Sequence, residues 1–150
     1  MRQGRRKRHL ASKADSDYPG DYQGVPRLEY APRDDGAADP GEVVWTWVPY
    51  EEDHSKGKDR PVLVIGEEDG WLLVLQLTSK DHDRDEQQEA RAGRYWIDIG
   101  TGEWDRRRRP SEARVNRIIR CRPDDVRRIG GRLSEKRFRE VAREVQQHYQ

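Results

Sequence analysis

Arg60-Pro61-Val62-Leu63-Val64-Ile65-Gly66-Glu67-Glu68-Asp69-Gly70-Trp71-Leu72-Leu73-Val74-Leu75-Gln76-Leu77-Thr78 is the stretch that decides the fold of this chain. Val62–Ile65 and Leu72–Leu77 are short apolar runs separated by Glu67-Glu68-Asp69-Gly70. Runs of this length, bounded by turn residues, read as strands that are largely buried, and the spacing predicts a β-hairpin. Upstream, Glu42–Val48 is β-branched and aromatic and suits a third strand after Pro40-Gly41. Downstream, Tyr95–Ile99 alternates apolar and polar residues and stops at Gly100-Thr101-Gly102, and Val115–Cys121 makes a fifth strand. Pro123-Asp124-Asp125 opens a short helical turn. Ser134 is placed to cap a helix that puts Phe138, Val141, Ala142 and Val145 on one face. Five short strands and a terminal helix predict a mainly-β domain over residues 40–150, closed into a strongly curved barrel because closure removes sheet edges.

Charged residues make up 39% of the chain and hydrophobic ones only 32%, too polar a balance for a chain folded throughout. Residues 1–39 carry no period of 2 or 3.6, so they are read as a disordered basic and polar arm, with Arg5-Arg6-Lys7-Arg8 as a phosphate-attracting cluster or a plain solvated tail. Residues 80–92 are read as a long exposed acidic loop. Lysine and arginine against aspartate and glutamate run 8 to 7 over residues 1–40, 6 to 13 over 41–92 and 16 to 9 over 93–150. An acidic block and a basic block can pair with each other, attract a second copy, or leave a basic face for polyanions. No apolar run is long enough for a membrane span, and the basic N-terminus is followed by no apolar stretch of a secretory leader. A lone Cys121 and four scattered histidines predict neither a disulfide nor a metal site, which fits the cytoplasm.

Three places hold candidate chemistry. The polar segment Pro49–Pro61 contains His54, Lys56, Lys58 and Arg60; Pro61 forces Arg60 into extended geometry beside a buried strand, a rigid mount for a phosphate-gripping guanidinium or for a surface salt bridge. Thr78-Ser79-Lys80 puts two hydroxyls and an ammonium where a buried strand ends, as phosphate donors or as turn chemistry. The stretch Arg106–Arg109, Arg114, Arg117, Arg120 and Arg122 offers a face for a sugar–phosphate backbone, with Arg114 and Asn116 on one side of a strand and Trp104 as a stacking plane, or else a soluble arginine-rich surface. Trp45, Trp47, Trp71 and Trp96 sit inside strand patterns and are read as core.

The order of these motifs resembles the MazF/PemK family of toxin–antitoxin ribonucleases over about residues 40–147. The series runs Gly41-Glu42-Val43-Val44-Trp45, then Arg60-Pro61-Val62-Leu63-Val64-Ile65, then Leu77-Thr78-Ser79-Lys80, with Ile129-Gly130-Gly131-Arg132-Leu133-Ser134 before the last helix. The resemblance implies an SH3-like barrel of the CcdB/MazF/PemK type. It implies a homodimer that binds single-stranded RNA and cuts it without metal or cofactor, through attack of the ribose 2′-hydroxyl to leave a 2′,3′-cyclic phosphate. It implies a cognate antitoxin whose peptide occupies the RNA groove, with DNA contact through that complex. The family's catalytic residues fall on Arg60, as phosphate stabiliser and proton donor, and on Thr78, with His54 holding substrate or shuttling a proton. RNA contacts then fall on Lys56, Lys58, Ser79, Lys80, Arg114, Asn116 and Arg117. Where some relatives carry Arg-x-Asp this chain has Arg114-Val115-Asn116, and asparagine cannot take a proton. The same barrel without a base is a binding module for nucleic acid or protein.

Overall fold

The β-branched and leucine-rich runs form three long antiparallel strands in the computed structural model, which describes residues 18–33, 35–79 and 86–149. These are β1 (Glu42–Pro49), β2 (Gly57–Glu68) and β3 (Trp71–Thr78). Asp69 and Gly70 join β2 to β3 with φ of 56° and 84°, the two positive values that a tight hairpin turn matching strand twist requires. A short helix α1 (Glu86–Arg91) follows, then β4 (Trp96–Gly100), β5 (Ser111–Arg114), β6 (Ile119–Cys121), a single 3-10 turn (Pro123–Asp125), β7 (Arg128–Arg132) and the helix α2 (Glu135–His148).

The seven strands are antiparallel and ordered β4-β5-β3-β2-β1-β7, with β6 also on β3. The outer edge of β3 is shared: Leu72–Val74 pairs with β6, and Leu77–Thr78 pairs with β5. Of the fifth strand expected over Val115–Cys121 only Ile119–Cys121 is strand; Ser111–Arg114, ahead of those bounds, forms a separate strand that the sequence pattern did not mark, and the ladder breaks between the two. At that break Val115 donates its amide to Tyr95 and Ile118 accepts from Tyr22. Register shifts between Val43 and Val44 and between Val64 and Gly66 bend the sheet further. The result is a mostly β, strongly curved, barrel-like arrangement with a C-terminal helix; the sheet stays open between β4 and β7, so the expected closure is incomplete. β7 has no β-forming pattern in its Arg-Ile-Gly-Gly-Arg sequence and is held as an edge strand by β1.

Alternation along β2 and β3 explains why both read as unbroken apolar runs. Leu63, Ile65, Leu73, Leu75 and Leu77 face one core with Val43, Ile99, Ala113, Val115 and Ile118. Val62, Val64, Leu72 and Val74 face a second with Val44, Val48, Ile119 and Cys121. Helix α2 closes the first core with Phe138, Val141 and Val145, and the Ser134 hydroxyl caps it by accepting from the Arg137 amide.

Three expectations change. The arm placed over residues 1–39 lies on the barrel from Tyr18 to Arg33: Tyr22 is buried, and Leu28 and Tyr30 pack on the first core. The Tyr22 hydroxyl donates to Glu68 at 2.8 Å and that of Tyr30 to the Leu133 carbonyl at 2.6 Å. Residues 1–17, including Arg5–Arg8, lie outside the described residues. Residues 80–92, read as exposed loop, end in α1 and bury Glu89. The tryptophans are inverted: Trp45, Trp47, Trp71 and Trp96 are half-buried, whereas Trp104, read as an exposed plane, is in the core and donates to Ser111 Oγ at 3.0 Å.

Candidate functional site

The β2–β3 ladder ends at the pair Val62–Gln76. Stepping two residues outward on each strand reaches Arg60 and Thr78, so the register puts both on the same face just beyond the last pair. There the strands border a cavity of about 980 Å³ that both residues line, together with Lys58 and Ser79. Thr78 is fixed from behind by pairing with Glu112 of β5, and Arg60 by pairing with Thr46 of β1. Neither residue hangs on a loose loop, which is how a site keeps donors within the tolerance that catalysis demands.

The rest of the lining is strongly cationic. Arg94, Arg106, Arg107, Arg109 and Arg128 join Lys58 and Arg60, against the three carboxylates Asp59, Glu89 and Asp105. Glu89 takes a two-pronged pair from Arg94, both bonds 2.9 Å, and a third bond from the Trp96 indole at 2.9 Å. That contact raises the Arg94 pKa. Asp105 accepts from Arg109 at 2.8 and 3.4 Å and from the Arg107 amide at 2.9 Å. The Arg109 bonds, then the amide, hold the Asp105 carboxyl below the usual carboxylate range. Asp59 is held less: its Oδ1 is buried without a hydrogen-bond partner, and Arg127 stands 3.6 Å from Oδ2. Arg128 lies over the Trp45 ring at 4.9 Å and covers the cavity's aromatic wall.

The remaining sequence-predicted residues are elsewhere. His54 does not line the cavity; its Nε2 is 3.8 Å from Asp21 and its ring meets Tyr18 edge-on at 5.0 Å. Lys56 is exposed in the β1–β2 loop, where its backbone closes the turn with Tyr50 and Asp53. Arg114 is buried and grips Glu51 at 2.8 and 3.1 Å, which lowers the Glu51 pKa. Asn116 accepts from the Tyr95 amide and from Arg114 and donates to the Gly93 carbonyl, so its amide is a bracket for the turn before β4. Arg117 is buried between Asp21 and the Pro49 carbonyl. Lys80 lies outside the described residues. An alternating arginine pattern cannot announce this, because the partner carboxylates Asp21 and Glu51 lie 96 and 63 residues away in sequence.

Asp59, Glu89, Arg94, Asp105 and Arg128 were not singled out by the sequence. For Arg94, Asp105 and Arg128 the signals were the run Arg106–Arg109 and the basic excess after residue 93; Asp59 lay inside the candidate segment Pro49–Pro61, and Glu89 had no signal.

Residues 39–149 match the family described as PemK-like, MazF-like toxin of type II toxin–antitoxin system. The chain belongs to the PemK/MazF-like toxin family. The family defines it as the toxin partner of an antitoxin, in a class whose members are generally endoribonucleases. No curated protein matches it. Among the described residues of this PemK/MazF-like toxin, no helix is long and apolar enough to cross a membrane.

Proposed function

We propose that this toxin is an endoribonuclease that cuts single-stranded RNA without metal, at a phosphodiester held between Arg60 and Thr78. The observation that carries this reading is their meeting in one cation-lined cavity at the open end of the β2–β3 ladder. The ribose 2′-oxygen attacks the adjacent phosphorus and gives its proton to a base. The bond from phosphorus to the 5′-oxygen breaks, and that oxygen takes up a proton, leaving a 2′,3′-cyclic phosphate and a 5′-hydroxyl. The guanidinium of Arg60 and the hydroxyl of Thr78 donate to the non-bridging oxygens, whose charge rises in the transition state.

His54 stands apart from the cavity and Asn116 is committed to Gly93, so the base belongs to a cavity carboxylate. Glu89 and Asp105 are each held by an arginine, which leaves Asp59, beside Arg60, as the proton acceptor. Lys58, whose ammonium can part with a proton where a guanidinium cannot, protonates the leaving oxygen. On this reading the protein acts in the cytoplasm as a homodimer. An antitoxin peptide rich in carboxylates covers the cavity, and that complex carries any DNA contact.

Incubation of the purified protein with a long RNA in EDTA tests the reading. Fragments ending in cyclic phosphate are expected, disappearing in Arg60→Ala and slowing in Asp59→Asn. RNA that is bound but stays intact would reduce the protein to a binding module on the same barrel.

A further inference from the structure

The segment between β4 and β5 has a construction that catalysis at Arg60 does not use. Arg106, Arg107, Arg108 and Arg109 are consecutive, so their guanidinium groups repel one another, and Arg108 sits at φ 54°, a conformation that side chains other than glycine and asparagine resist. Two buried residues hold this arrangement in place. Trp104 is wedged beneath Gly102, Gly130 and Gly131: an added Cβ would collide with its ring at Gly102 and come within 3.1 and 3.2 Å of its atoms at Gly130 and Gly131. Asp105 is buried as well, and through Arg109 and the Arg107 amide it ties the loop to itself. Asp105 is satisfied by Arg109, so Arg106 and Arg107 line the cavity with no carboxylate partner among the described residues. A strained backbone pinned by a buried acid thus presents two exposed, unpaired guanidinium groups to the cavity, free to exchange water for the negative charge of a ligand.

We infer that this loop is a second phosphate site of the cavity, in which Arg106 and Arg107 grip the RNA backbone away from the phosphodiester at Arg60 and Thr78. It rests on the RNA reading above and adds to it two named backbone contacts on the wall between β4 and β5. Arg60 and Lys58 stand on the β2 wall and the arginine loop on the β4–β5 wall, so a strand crossing the cavity meets cations on both sides.

Binding of a mixed-sequence 2′-O-methyl RNA, which cannot cyclise, is measured by anisotropy over a range of salt concentrations. Each phosphate contact to a single strand contributes about 0.7 to the slope of log K against log salt, so Arg106→Ala/Arg107→Ala should reduce the slope by about 1.4. Arg139→Ala/Arg143→Ala, which removes the same charge from the outer face of α2, should leave the slope as in the wild type. Melting temperatures matching the wild type show that the loop variant is folded. For a variant that melts lower, Arg106→Lys/Arg107→Lys replaces it; this keeps the charge and should hold most of the slope while losing affinity. An unchanged slope in the loop variant overturns the second site, even where wild-type cleavage proceeds. Weaker binding of polyglutamate with an unchanged RNA slope also overturns it and assigns the loop to an acidic protein. A reduced slope in a protein that cuts no RNA overturns the nuclease reading alone, and wild-type protein that binds no RNA overturns both.

Discussion

Arg117→Leu tests whether the buried arginines of this barrel are parts of its frame or parts of its RNA surface. The Arg117 side chain is 3% exposed and makes three bonds, to Asp21 at 2.8 and 3.3 Å and to the Pro49 carbonyl at 2.8 Å. Leucine fills part of the volume but leaves a carboxylate and a carbonyl without their donor. Removing one partner of a buried ion pair costs about 3–5 kcal/mol. Asp21 keeps 15% of its side-chain exposure, so water can reach it, and the lower end, about 3 kcal/mol, applies. In a domain of this size that lowers Tm by about 10 °C. The assay is urea unfolding followed by tryptophan fluorescence, together with Asp21→Leu and the double variant. Because leucine at both positions leaves no charge stranded, the double variant should recover a large part of the loss. A single variant within about 0.5 kcal/mol of the wild type, with RNA binding lost, would show Arg117 to be a nucleic-acid contact and refute the structural assignment.

Three further outcomes follow from geometry already described. The Asp105 carboxyl is held low by Arg109, so its stabilisation is full above the unfolded value of about 3.9 and fades as pH falls through the lower folded value; Asp105→Asn should flatten the acid side of a urea-midpoint profile, and an unaltered profile would contradict the pairing. Arg108→Gly relieves the left-handed backbone and should stabilise by about 1 kcal/mol in the same unfolding assay, less what the added chain entropy takes back. Burial pushes the Cys121 thiol up to about 11, so a disulfide reagent at neutral pH should react with it only slowly until denaturant is added, whereas rapid labelling of the folded protein would show the second core to be open.

Periodicity and turn chemistry made the frame legible. Val62–Ile65 and Leu72–Leu77 are apolar on both faces because both faces are covered, and Asp69-Gly70 supplies a two-residue turn with both φ values positive that joins them tightly. Ser134 and the spacing Phe138, Val141, Val145 located α2 for the same kind of local reason. Legibility failed where a residue's role depends on a distant partner. Arg114 ends β5 and Asn116 lies in the bend beyond it, so they share no strand face; their side chains meet each other, Glu51 and Gly93 instead. Tyr18, Tyr22 and Tyr30 looked isolated because the surfaces that they cover belong to strands later in the chain. β7 stayed hidden because its pairing is imposed by β1 and by the glycines that let Trp104 approach. At the cavity, Arg60 and Thr78 were legible because both adjoin strands whose apolar pattern fixes their direction. Asp59, Glu89 and Asp105 were not, since nothing in their immediate sequence separates a cavity carboxylate from a solvated one.

The family match begins at residue 39, yet the wall of the barrel begins with Tyr18. A fragment trimmed to the family boundary keeps every strand and loses the anion opposite Arg117, the phenol seated on Glu68 and the cover over Ile118. Such a fragment would expose a greasy seam with an unanswered positive charge inside it, and in a cell it would be drawn to other seams like its own. The twenty-odd described residues ahead of the family match are therefore its own counterpart of a lid sewn on from outside, and any attempt to express or transplant this toxin has to carry them along.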